Sequence, residues 1–249
     1  MTPTHRRDLL RAGAAFTAVG ALITGCGNTG TATAAPPATT PTSPSASLTR
    51  LPFQVTHGPR ATASVALTFH GQGDPALADR LLTTAEQHGA HLTVLAVGSW
   101  LDAYPAMARR VLDGGHDLGN HTQRHVSINA MAEVDARKEI TDCAQRLRRL
   151  TGSIGSWFRP SRAPTASPLV ARLAAEAGYP HVLSYDVDSL DYTRPGASAI
   201  TRKVLAEVTG GSVVSMHFGY PDTVAALPDV LQELHRRGLR AVTTTELLS

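Results

Sequence analysis

At 249 residues, with 42% hydrophobic and 17% charged residues, the chain holds enough apolar material for one sizeable core or two small ones, which excludes a wholly disordered or fibrous protein. Its 23 Lys+Arg and 20 Asp+Glu give a formal net charge of +3. Arg6, Arg7, Arg11 and Asp8 fall in the leader, leaving 20 basic against 19 acidic side chains in the rest, so no basic face for nucleic acid is indicated.

The N-terminus reads as an export signal over 1–25. Arg6-Arg7 precede an uncharged, small-residue stretch from Ala12 to Gly25, too short to span a bilayer, where about 20 residues are needed. The arginine pair resembles the twin-arginine class of signal, and Leu22-Ile23-Thr24-Gly25-Cys26 resembles a bacterial lipobox, which makes Cys26 the lipid-bearing first residue of the mature protein. Residues 26–56 are mostly Gly, Ala, Thr, Ser and Pro and are expected to form a flexible tether, with the folded domain at 57–249. The expected location is the outer face of the cytoplasmic membrane, anchored through lipid on Cys26. With Cys26 so used, Cys143 has no partner in the chain, and its spacing with Ile140 and Leu147 puts it on the apolar face of a helix as an inert core residue.

Beyond the tether, apolar runs alternate with longer segments of helical period. The strand candidates are Ser64–Phe69, Leu92–Val97, His116–Asn120, Ser156–Arg159, Val182–Asp186, Ser212–His217 and Arg240–Thr244. Helix starts are expected at Asp74-Pro75, Asp102, Ser127, Ser167-Pro168, Ser198 and Asp222, and stops at Gly89, Gly114, Gly152, Gly178, Gly210 and Gly238. Strand then helix, repeated, predicts an α/β fold of about seven parallel strands in one domain, as an incomplete barrel or an open doubly wound sheet. Both architectures put a functional site at the C-terminal strand ends.

Polar residues do gather there: His70 to Asp74 after the first strand, Asn120 to His125 after the third, Arg159 to Arg162 after the fourth, Asp186 to Tyr192 after the fifth, and His217 closing the sixth. His121 and His125, four apart, would project from one face of a helical turn as a metal-ligand pair. His70 reads either as a core histidine or as a ligand or base facing the same cleft. Asp74 reads as a helix cap. One of Asp186, Asp188 and Asp191 is expected to pair with Arg159. Gly71-Gln72-Gly73-Asp74-Pro75-Ala76 fits a dinucleotide fingerprint, but no carboxylate follows the second strand to take ribose hydroxyls. There is no G-x-S-x-G elbow.

Taken in order, these segments resemble the motifs of the polysaccharide deacetylase family, the nodulation-type deacetylase homology domain, from Ala61 to the C-terminus. His121-Thr-Gln-Arg-His125 resembles the metal-binding His-Ser/Thr-x-x-His, Phe158-Arg159-Pro160 the start of the third motif, Asp188-Ser189-Leu190-Asp191-Tyr192 the fourth with Tyr for Trp, and Met216-His217 the fifth. The resemblance implies an irregular (β/α) barrel, a divalent metal that is usually zinc, and hydrolysis of the acetamide of an N-acetylated glycan, with His217 as general acid.

The first motif differs from the family's. Thr68-Phe69-His70-Gly71 stands for Thr-Phe-Asp-Asp, so His70 takes the place of the base and Gly71 that of a metal ligand, and in the third motif Ser161-Arg162-Ala163 replaces the usual aromatic and glycine. The site expected from all this is His70, His121 and His125 on the metal, His217 as acid, and a base among Asp186, Asp188, Asp191 and His70, with Arg159 beside them. The alternative is a surface lipoprotein that binds glycan without hydrolysing it. No protein partner is indicated.

Overall fold

The computed structural model describes residues 51–249. The expected leader (1–25) and the tether up to residue 50, Cys26 included, lie outside the described residues. Among the described residues no helix is long and apolar enough to cross a membrane.

In chain order the elements are β1 (Gln54–Val55), β2 (Ser64–Gly71), α1 (Pro75–Gln87), β3 (Thr93–Ala96), α2 (Gly98–Ala103), α3 (Ala106–Asp113) and β4 (Asp117–Asn120). There follow α4 (Glu133–Thr151), α5 (Pro168–Glu176), β5 (Val182–Leu183), β6 (Val187–Asp188), α6 (Ala197–Glu207), β7 (Val213–His217), α7 (Pro221–Arg236), β8 (Arg240–Val242) and α8 (Thr244–Leu247). All strand pairs are parallel, in the order β4-β3-β2-β7-β6, with β8 also on β2 and β1 on β5. Bridges from Phe158 to Asn120 and to Val182 carry the sheet from β4 to β5, and an antiparallel bridge from His57 to Ser212 returns it to β7. The circuit closes as the irregular (β/α) barrel that the family resemblance implies, not as the open doubly wound sheet that the strand-then-helix order left open.

Side chains alternate across β2 and β7. Val65, Leu67 and Phe69, with Val214 and Met216, pack outward on helix residues such as Leu81, Leu82, Leu227 and Val230. Ala66 and Val213 point inward and join Val55, Leu95, Trp157, Leu183 and Val242 in a small interior cluster. The pairings Ala66↔Val213, Thr68↔Ser215 and His70↔His217 stack three inward layers, apolar at the bottom and hydroxyl-bearing in the middle. The top layer is a pair of imidazoles. A filled interior capped by polar groups leaves chemistry only at the C-terminal mouth.

Several boundaries differ from the sequence reading. Gln54–Val55 form a strand inside the segment 26–56 assigned to the tether, because Val55 and the partly buried Leu51 pack into the interior cluster. The candidate strand Ser156–Arg159 contributes only the bridging residue Phe158, and of Val182–Asp186 only Val182–Leu183 is strand, with β6 following it at Val187–Asp188. Asp74 caps α1 as expected, its Oδ1 accepting from Ala76 N at 2.9 Å, and Ser167 caps α5. Asp102 lies within α2 instead of starting a helix, and α4 begins at Glu133, with Ser127 preceding a single 3-10 turn. The glycine loop after β2 is closed: the Gly73 carbonyl accepts from Trp100 Nε1 at 2.9 Å, and a Cβ at position 73 would lie 2.6 Å from Gly219 Cα. Cys143 is a buried free thiol in α4, pushed up to about 12 by burial, as expected of an inert core cysteine.

Candidate active site at the barrel mouth

The C-terminal strand ends surround a cleft of about 380 Å³ lined by His70, His125, Tyr185, Asp188, Ser215, His217 and their neighbours. On its floor His70, His121 and His125 each offer one ring nitrogen, all within 4.8 Å of one another. The ring centroids of His70 and His121 are 4.2 Å apart, and those of His121 and His125 4.8 Å.

Each imidazole is held there by backbone geometry. His70 is the penultimate residue of β2, the barrel's central strand. His121 follows β4 directly, and its Nδ1 lies 3.0 Å from the carbonyl oxygen of Arg159. A carbonyl can only accept, so Nδ1 carries the proton and Nε2 is left with its lone pair. His125 arrives through a loop and not through the expected helical turn: Thr122 and His125 have φ of 68° and 55°. The side chains of Asn120 and Glu139 shape that loop. Asn120 Oδ1 accepts from Thr122 N at 2.8 Å, and Glu139 Oε2 accepts from Arg124 N at 2.8 Å. The two histidines therefore converge through left-handed backbone at a functional site, not through helical periodicity.

The electrostatics suit metal binding. Burial above all, with the charge of neighbouring histidines (His121 and His217 on His70, His125 on His121) and of Arg159, holds His70 and His121 well below the ordinary histidine value. Burial and the nearby Arg162 bring His125 down to about 4. All three are neutral at pH 7, the state a cation requires of an imidazole ligand. His70 Nδ1 and His121 Nε2 are buried with no hydrogen-bond partner, which is costly unless something else uses the lone pairs. The donor set therefore fits a divalent cation, with nitrogen ligands that favour zinc over calcium or magnesium.

Beside this triad stands a hydrogen-bonded pair. Asp191 is fully buried. Its Oδ1 accepts from His217 Nδ1 at 2.6 Å, and its Oδ2 from His217 N at 2.8 Å and Thr223 Oγ1 at 2.7 Å. The centroids of His217 and His70 are 4.3 Å apart.

The sequence reading needs three corrections here. Asp186 is not at the mouth: its carboxylate accepts from Val213 N and Ser212 Oγ at the start of β7 and pairs with Arg60. Asp191 is fully buried behind His217 and Thr223 and does not line the cleft, so it does not face a substrate water as a base. Arg159 forms no ion pair with any of the three aspartates. It is buried, its Nε and Nη2 donate to the carbonyls of Leu183 and Ser184 at 3.0 and 2.9 Å, and burial lowers it to about 10. Asp188 alone among the three lines the cleft, with Oδ1 accepting from Leu190 N. Tyr185, Ser215 and Tyr220 also line the cleft and were not singled out from sequence. Ser215 was within reach, two residues before His217 on one strand face.

The family profile described as polysaccharide deacetylase matches residues 57–182. Over 188 residues the chain is 32% identical to a peptidoglycan-N-acetylglucosamine deacetylase of Bacillus cereus, the match taking in 74% of this chain and 87% of that protein. A peptidoglycan N-acetylglucosamine deacetylase solved with a naphthyl-substituted N-hydroxybenzamide superimposes with a TM-score of 0.74 at 26% identity, over 79% of this chain and 92% of that one. A Bacillus anthracis protein described as a pseudoenzyme of the CE4 family superimposes with a TM-score of 0.76 at 22% identity, over 81% and 71% of the two chains, a likeness of fold.

In the metal-free protein the His125 ring should take up its proton near pH 4 instead of near the ordinary value of about 6.5. The unfolded chain then binds more protons than the folded one between those values, so stability falls as pH drops through this window. Histidine ring NMR titration measures the midpoint directly, and a His125 midpoint at or above the ordinary value contradicts the assignment.

Proposed function

Because the chain belongs to the polysaccharide deacetylase family, we propose that it removes acetyl groups from N-acetylated cell-wall polysaccharide, with His70, His121 and His125 holding one divalent cation, zinc by the chemistry of its ligands. The observation that carries this reading is the meeting of three neutral imidazole nitrogens within 4.8 Å, two of them buried without a partner, next to a histidine locked on a buried carboxylate. When bound, such an ion polarises the acetamide carbonyl and acidifies water.

The remaining work falls to the chain's own side chains. Water adds to the acetamide carbon while its proton passes to a base, and among the three aspartates Asp188 is the one that reaches the cleft. The carbon–nitrogen bond then breaks as the nitrogen takes a proton from His217, giving acetate and a free amine. His217 donates Nδ1–H to Asp191, which orients the ring and leaves Nε2 to deliver the proton. Arg159 is a positioning residue, since its carbonyl fixes the His121 tautomer.

One observation favours the second reading, a glycan-binding protein without hydrolysis. Position 71, where the family has a ligand carboxylate, has no room for a side chain: a Cβ there would lie 2.9 Å from Val94 Cγ1 and 3.1 Å from Ala96 Cα. Acetate release from peptidoglycan and chitin oligomers separates the two readings. We expect release that falls by about 10² to 10⁴ in His217→Ala with metal content retained. No acetate with zinc, cobalt or manganese, together with glycan binding, establishes the second reading instead.

The same proposal has the protein exported and lipid-anchored on the outer face of the cytoplasmic membrane, supported by Arg6-Arg7 and by Ile23-Thr24-Gly25-Cys26. One acyl chain holds only marginally, so two or more are expected on Cys26. Cys26→Ser should move the protein from the membrane to the soluble fraction. A variant that stays with the membrane contradicts the anchor.

A further inference from the structure

Two arginines at the cleft have no part in hydrolysing a neutral acetamide. Arg162 lines the cleft. The Arg194 guanidinium lies 5.7 Å from the ring centroid of Tyr220, itself a lining residue. Both arginines have left-handed backbone, with φ of 55° and 56°, a conformation that long side chains adopt at some cost and that persists where the surroundings impose it.

Among the described residues some helix-borne arginines, Arg110, Arg137 and Arg172 among them, are tied to carboxylates, while others such as Arg80 and Arg149 are not. Arg162 and Arg194 have no carboxylate partner among the described residues; Arg162 lines the cleft, and Arg194 stacks on the lining residue Tyr220. A third guanidinium, that of Arg159, lies buried 5.4 Å from the ring centroid of Tyr185 with no carboxylate paired to it. Against these, Asp188 is the single carboxylate among the lining residues, and Asp191 lies buried behind His217. The Arg162 guanidinium is thus exposed on the cleft without a carboxylate partner, and a neutral glycan would gain nothing from its charge.

We propose that this cleft selects an N-acylated glycan that carries carboxylates, with Arg162 as the residue that takes the carboxylate and Arg194 reinforcing it from the His217 side. A guanidinium fork matches a carboxylate in two parallel hydrogen bonds, which an ammonium or an amide cannot reproduce. The faces of Tyr192 and Leu190, 47% and 37% exposed, offer apolar contact for the sugar rings beside the charged groups. This inference rests on the glycan reading above, but not on hydrolysis taking place.

The test uses the full chain with zinc supplied and three probes. These are a neutral chitin tetramer, a peptide-free peptidoglycan strand fragment bearing carboxylates, and the same fragment with its carboxylates reduced to alcohols. Dissociation constants and acetate release are measured for each. The acidic fragment should bind roughly 10- to 100-fold more tightly than its reduced form, the range expected of a hydrogen bond to a charged group, and added salt should narrow the gap. Arg162→Gln should remove most of the preference and Arg162→Lys should keep part of it, with thermal melting confirming that both fold.

Equal binding of the acidic and reduced fragments overturns the inference, as does a preference that survives Arg162→Gln. Acetate released equally from all three probes leaves the deacetylase reading standing and removes this one. An Arg162-dependent preference with no acetate from any probe does the reverse.

Discussion

Leaving an imidazole nitrogen buried without a partner costs about 1–3 kcal/mol, and the barrel mouth does so twice, at His70 Nδ1 and His121 Nε2. The surrounding structure maintains that arrangement. Parallel register brings His70 level with His217. The Arg159 carbonyl turns the free lone pair of His121 to the side away from itself. Asn120 and Glu139 hold the loop that delivers His125. A cation that uses these lone pairs would offset the cost of burying them, and bound to the folded chain alone it would also stabilise the fold.

The two aspartates nearest in sequence to the mouth show how environment assigns a role. Asp191 is sealed behind His217 and Thr223, so it acts only through the ring it holds. Asp188 opens onto the cleft. The chain between β5 and β6 breaks strand geometry, and this turns Asp186 to the start of β7 while Asp188 pairs in register with Ser215. Three residues of one chemical type, within six positions, thus meet a structural anchor, an open site and a histidine clamp.

That divergence also marks how far the sequence could be read. The strand ends were legible because β2 and β7 are continuous apolar runs that stop at histidines, and because caps and glycines punctuate most of the helices. The convergence of His121 and His125 was anticipated, but by the wrong geometry, since their spacing of four suits a helix and nothing local announces left-handed backbone at Thr122 and His125. The expected ion pair of Arg159 failed for a related reason: a guanidinium can be satisfied by carbonyls, and which acceptor it meets depends on the bridge at Phe158, a pairing too short to leave a strand signature. Strand β1 was hidden by its polar, proline-bearing neighbours, although Val55 closes the interior cluster.

The central claim is a three-histidine cation site on a barrel mouth that lacks the family's usual aspartate pair. X-ray absorption on the purified full chain, with elemental analysis of the same sample, tests it most directly. The account predicts one zinc-like ion per chain surrounded by three imidazole nitrogens, a site emptied by His121→Ala and weakened by His70→Ala. A chain that stays free of metal when zinc is supplied, or one whose metal content is unchanged in His121→Ala, contradicts it.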